Sequence, residues 1–107
     1  MSSSAAPRAQ ANDPVAVDAK HYTVEHEDER VRVLRIRYGP GEKSTMHSHP
    51  ESIAVLITDA KIRMTYPDGT TEDMQAAAGT VMHMPDVEHL PENIGDSAFE
   101  VIQVEMK

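Results

Sequence analysis

The sequence predicts an all-β domain whose strands form two sheets closed into a jelly-roll barrel. Three observations carry this. Short apolar runs recur every 8–12 residues or so, with turn residues between them. No window of eleven or more residues sustains apolar side chains at i, i+3 and i+4, the pattern an amphipathic helix requires. The runs number eight or nine, enough to close two sheets on each other and hide most of the edges an open sheet exposes.

Taken in order, residues 1–19 are rich in Ser, Ala and Pro without periodicity and read as a flexible arm, at most its last residues being held against the domain. Residues 20–107 form the single domain. The first strand is expected at 22–25 and the second at 30–38, R-V-R-V-L-R-I-R-Y. The apolar set in the second changes parity between Val33 and Leu34, so a bulge or bend is expected there. Arg35 and Arg37 are read as solvated, the alternative being that one of them reaches an anionic ligand in a cavity. Gly39-Pro40-Gly41 turns the chain into a strand at 46–49, and the apolar run S-I-A-V-L-I-T at 52–58 suits a central strand. Residues 61–66 alternate Ile62, Met64 and Tyr66 against Lys61, Arg63 and Thr65, and Pro67-Asp68-Gly69 is a tight turn into a return strand at 71–75. Strands at 80–84, at about 88–91 and at 98–105 complete the set, the last with Phe99, Val101 and Gln103 on one face.

Composition narrows the partners. Ten basic against 18 acidic residues give a net charge of -8, which argues against nucleic acid and anionic membranes, since phosphate binding needs a basic surface. With no cysteine, thiolate chemistry and disulfides are excluded. No apolar run approaches the roughly 20 residues of a membrane span. Residues 1–12 hold no apolar leader-like run, which favours the cytoplasm, although Ala9-Gln10-Ala11 resembles a small-x-small cleavage site and keeps an exported protein as the alternative. With tryptophan absent and seven methionines present, the core must be aliphatic and adaptable, and Met46, Met64, Met82 and Met84 are expected to fill it.

The chemistry-bearing stretch is Met46-His47-Ser48-His49-Pro50. Histidines one residue apart on a strand share a face, and their imidazoles can converge on a divalent metal. His89, forty residues beyond His49, is the candidate third ligand. The other histidines are expected elsewhere: His83 outward if Met82 and Met84 face the core, and His21 and His26 exposed beside the first strand. Tyr38 and Tyr66 end strands beside turns, where a phenol can keep its hydroxyl wet. Asn93 is expected to order its turn through side-chain bonds to backbone.

These residues resemble the cupin family. Gly41, five residues and His47-Ser48-His49 look like its first motif; Gly79, five residues, Pro85, then His89, three residues and Asn93 look like its second. The resemblance covers roughly residues 31–104 and implies a double-stranded β-helix barrel with a metal inside it, held by His47, His49 and His89. The usual glutamate ligand is missing, its counted position being Ile53, and Val87 stands where the second motif usually has a glycine. Glu51 is the candidate substitute ligand, disfavoured because Pro50 bends the chain just before it.

A three-histidine site is neutral on the protein side and leaves positions open for water or substrate. Similar three-histidine iron sites occur in thiol dioxygenases and diketone-cleaving enzymes. The expectation is therefore a protein binding a divalent transition metal (Fe, Mn, Zn or Ni) and a small molecule at its open positions, with oxygen activation as in a dioxygenase or assisted proton transfer as the two forms an enzyme there would take, and no reaction assigned. The alternative is a non-catalytic ligand-binding or dimerisation module with a vestigial site. A homodimer is expected, with the arm and the strand at 30–38 as contacts.

Overall fold

The computed structural model describes residues 12–107. Residues 1–11 of the expected arm lie outside the described residues. Nine strands follow one short helix: α1 (Pro14–Val17), β1 (Tyr22–Glu27), β2 (Val31–Tyr38), β3 (His47–His49), β4 (Ser52–Leu56), β5 (Ala60–Thr65), β6 (Thr71–Ala76), β7 (Val81–Met84), β8 (Val87–Asn93) and β9 (Phe99–Met106). They form a five-stranded sheet in the order β1-β2-β9-β4-β7 and a four-stranded sheet in the order β3-β8-β5-β6. All pairings are antiparallel. One cluster fills the space between the sheets: Leu34, Ile36, Ala54, Leu56, Phe99 and Val101 from one, with Ile62 and Met64 from the other.

Alternation decides which side chains enter that cluster. β9 buries Phe99, Val101, Gln103 and Glu105 in strict alternation, and β4 buries Ser52, Ala54 and Leu56. The hairpin from β5 to β6 turns at Gly69, whose φ of +87° is the left-handed region that glycine enters without a Cβ clash. Its turn is closed by Gly69 N–H donating to the Tyr66 carbonyl at 2.9 Å and by Asp68 accepting from Thr70 N–H at 3.0 Å. Among the described residues no helix is long and apolar enough to cross a membrane.

The second strand corrects the sequence reading in one respect. β2 runs through Val33 and Leu34 without a break, paired to β9 at every position from Val31 to Tyr38. The irregularity lies in its neighbour: β1 shifts register between Val24 and His26, opposite Leu34 and Val33. The inner face of β2 is Arg32, Leu34, Ile36 and Tyr38, and the change of apolar parity reflects a charged residue placed inward at one end. β2 is also flanked on both sides within the chain, so its backbone has no free edge for exchange with a second copy. Among the described residues the edge strands of the larger sheet are β1 and β7.

Segments outside the strands fix β3. Residues 41–44 run along β8, with Gly41 N–H donating to the Asn93 carbonyl and Ser44 N–H to the Pro91 carbonyl. On its other side Ser48 N–H donates to the Asn12 carbonyl at 2.8 Å. Asn93 orders its turn as expected, donating to the Tyr38 and Ser97 carbonyls and accepting from Gly95 N–H. Leu34, with no exposed surface, sits between β1 and β9. Leu34→Ala is expected to cost about 2–5 kcal/mol, read as a lower urea midpoint with an unchanged m-value.

Candidate metal centre

Two adjacent strands bring the three histidines together. His47 and His49 occupy the inward positions of β3, and β8 places His89 directly opposite His47. All three are buried, at 0%, 2% and 4% exposure. Their ring centroids are 4.8, 5.0 and 5.3 Å apart. Each offers a nitrogen, and these nitrogens all lie within 4.8 Å of one another. Nitrogens bound at about 2.1 Å to one metal are about 3.0–3.4 Å apart in tetrahedral or cis positions, a spacing that small ring rotations reach. Among the described residues this is the one such cluster.

Hydrogen bonds fix which nitrogen of His47 and of His49 is free. His49 Nδ1 donates to Glu105 Oε2 at 2.7 Å. His47 Nδ1 donates to the Thr45 carbonyl at 2.9 Å and lies 3.0 Å from Ser44 Oγ. A protonated Nδ1 leaves Nε2 with its lone pair, the state in which imidazole binds metal, and a carboxylate or carbonyl on the far nitrogen is the usual way of holding it there. His47 Nε2 accepts from the Tyr22 hydroxyl at 3.2 Å. His89 Nε2 is buried with no partner at all. A metal fits that donor set: three imidazole nitrogens, one of them otherwise orphaned in an apolar interior.

Electrostatics agree. Burial, and after it the neighbouring His49, lowers the His47 pKa to about 4. Burial again, with His49 and His47 behind it, takes His89 down to about 2. Both rings are therefore neutral near pH 7, with lone pairs available.

Behind His49 a chain of charges crosses to the N-terminal segment. Glu105, 2% exposed, accepts from Arg32 Nε at 2.9 Å, and Arg32 makes two bonds to Asp13, at 2.8 and 2.7 Å. The hydrogen bonds to Asp13 hold the Arg32 pKa above its ordinary value. Asp13 also caps α1 by accepting from Val15 N–H. Behind His47, Ser44 Oγ donates to Asp18, which also accepts from His21 Nδ1, while His21 Nε2 contacts Glu42. Tyr22 and Tyr38 share a hydroxyl–hydroxyl bond of 2.7 Å, and burial above all keeps both phenols protonated, with pKa values raised.

Beside the histidines lies a cavity of about 310 Å³. His49, His89, Gln103, His83, Glu72 and three tyrosines supply the polar part of its wall, and residues such as Met82, Met84 and Phe99 make the rest apolar.

Several sequence expectations meet their outcome here. Ile53 is not the inward position: it pairs with Val104 and His83 on the outer face, while Ala54 faces the cavity, so neither position carries a carboxylate. Glu51 is exposed and bonded to His83 Nε2 at 2.6 Å, away from the cluster. Arg35 and Arg37 face outward and pair with Glu100, Arg35 also with Glu25. His83 and His26 are exposed as expected. His21 is not: it is 6% exposed, stacked on Tyr38 with centroids 4.2 Å apart, and bonded to Asp18. Tyr38 is likewise buried, its hydroxyl satisfied by Tyr22 rather than by water. Tyr66 keeps its hydroxyl near the surface, on Glu72. Of the methionines, Met64 is core and Met82 and Met84 pack against it. Sequence reasoning missed Glu105, Arg32 and Tyr22; alternation carried one step past Gln103, and one step back from Leu34, would have found the first two.

The depressed histidine pKa values carry a pH dependence. In the folded, metal-free protein His47 and His89 stay neutral below the pH at which the unfolded chain, near 6.5, takes up protons. Their contribution is fully present above about pH 6.5 and is lost as pH falls toward their folded values, by at most about 1.4 kcal/mol per pH unit for each. Chelator-treated protein should show a lower urea midpoint at pH 5 than at pH 7, and His89→Leu should flatten that difference.

No family model and no curated protein matches the chain. Solved structures do. A cupin domain from Bordetella pertussis Tohama I is 30% identical, with a TM-score of 0.75 over 80% of this chain and 91% of that one. An RmlC-like cupin family protein with a double-stranded β-helix fold from Methanocaldococcus jannaschii is 22% identical, at TM-score 0.62 and 83% of each chain. A conserved protein with a double-stranded β-helix domain from Klebsiella pneumoniae is 20% identical, at TM-score 0.63, covering 79% of this chain and 74% of that one.

Proposed function

The chain belongs to the cupin family, and on that premise we propose that His47, His49 and His89 hold a divalent transition metal (Fe, Mn, Zn or Ni) that acts on a small molecule entering the adjacent cavity. The observation that carries this reading is His89 Nε2, a buried nitrogen without a partner, beside two histidines whose other nitrogens are already committed. An apolar site does not keep such an atom cheaply: leaving it unsatisfied costs about 1–3 kcal/mol.

When bound, the metal supplies Lewis acidity and a place where a ligand oxygen or sulfur, and dioxygen in the dioxygenase form of the reading, can be polarised. The remaining work falls to the chain. Glu105 and the Thr45 carbonyl orient the His49 and His47 rings and keep their Nδ1 atoms protonated. Arg32 holds Glu105 in place. The methionines and Phe99 exclude water from one side of the site. Tyr22 would give up its bond to His47 Nε2 if that nitrogen held a metal, and its protonated phenol would then be free to donate to a bound ligand.

Protein purified after growth with iron, manganese, zinc or nickel should contain about one metal per chain, and His47→Ala should contain almost none. Negligible metal in wild type under all four conditions refutes the reading. Oxygen uptake with a panel of thiols and diketones tests the dioxygenase form separately. A second outcome concerns the outer partner: Glu105→Gln should fold and weaken metal affinity 10–100-fold, measured by competition with a chromogenic chelator.

A further inference from the structure

Gln103 has no structural reason to be polar. It lies in the middle of β9, 4% exposed, between Leu34 of β2 and Ala54 of β4, the residues directly opposite it on either side. Neither neighbour has a side chain that can bond an amide. Its Nε2 is buried without a partner, and among the described residues the only other such side-chain atom is His89 Nε2. Both residues line the same cavity. A leucine or methionine would fill the position without leaving a polar group unpaired.

We propose that the Gln103 amide is the recognition group for the ligand of this site, and that the ligand is a small anion with an apolar body, bound to the metal through part of its oxygen set and to Gln103 through an oxygen left over. This rests on metal binding by His47, His49 and His89. The charge follows from the donors: three neutral imidazoles leave a divalent ion its full charge, and no lysine or arginine lines the cavity to bind an anion in its place. The apolar body follows from the walls, Met82, Met84, Phe99, Leu56 and Val101. The other polar lining includes Glu72, which already accepts from the Tyr66 hydroxyl, and Tyr22 and Tyr38, which bond each other; the unpartnered Gln103 amide sets orientation, because a ligand turned the other way leaves it unpaired.

The test uses two probes on cobalt-loaded protein. Azide binds the metal alone. The 2-oxo acid 3-methyl-2-oxobutanoate can chelate through its keto oxygen and one carboxylate oxygen, presenting the other to Gln103, with a branched apolar tail. Gln103→Met keeps length and volume. It should hold cobalt and azide as wild type does, melt no lower, and bind the 2-oxo acid at least 10-fold more weakly by the cobalt absorption bands; Gln103→Leu repeats the measurement in a second apolar background. Equal 2-oxo acid affinity in wild type and both variants overturns the role of Gln103 while leaving the metal site standing. Cobalt-loaded wild type that binds azide but not the 2-oxo acid overturns the ligand class. Wild type that binds neither cobalt nor azide removes the metal reading and this inference together.

Discussion

Three imidazoles packed into an apolar barrel are the constraint on which the rest of the structure depends. Each has two nitrogens that lose water on burial, and each unsatisfied one is costly. The chain answers this on the outer side with protein groups: Thr45 and Ser44 at His47, and Glu105 at His49. Glu105 is itself a buried carboxylate and would be untenable without Arg32, which in turn needs Asp13. So the residues just ahead of the barrel are drawn into it. α1 is only four residues long, and what holds it is Asp13, which caps the helix while pairing with Arg32. On the inner side the answer is incomplete. His89 Nε2 is buried with nothing to bond, and that open valence is what the proposed ion would satisfy.

Much of this was legible from residues alone. Alternation in the strands and the placing of Gly, Pro and Asp at turns gave the sheet elements, because period-two patterning follows directly from strand geometry. His47 and His49 declared themselves by spacing, and His89 by its place in the second motif; the structure sets His89 across from His47. What could not be read were the partnerships. Arg32 looks like any strand arginine until Leu34 and Ile36 are known to point inward, and Glu105 looks like the charged end of a strand. Their contact joins residues 73 positions apart, and no local pattern announces it.

The misread positions have the same origin. His21 was expected in solvent because it flanks an exposed strand, yet Asp18, Glu42 and the face of Tyr38 together repay its burial. Tyr38 was expected to keep a wet hydroxyl, and Tyr22 supplies the partner instead. The bulge expected in β2 belongs to β1, since a strand paired on both sides resists an extra residue more than an edge strand does. Counting along the chain put the absent glutamate at Ile53, but the inward position is Ala54. In each case a tertiary partner decided what a local rule could not.

The proposed centre has the Nε2 atoms of three histidines sharing one ion. Crystals soaked in cobalt and measured at the metal's absorption edge test it most directly. The account predicts a single strong anomalous peak at about 2.0–2.2 Å from the Nε2 atoms of His47, His49 and His89. A map with peaks only at exposed pairs such as His83–Glu51 or His26–Asp28, and none among the three buried rings, would contradict it.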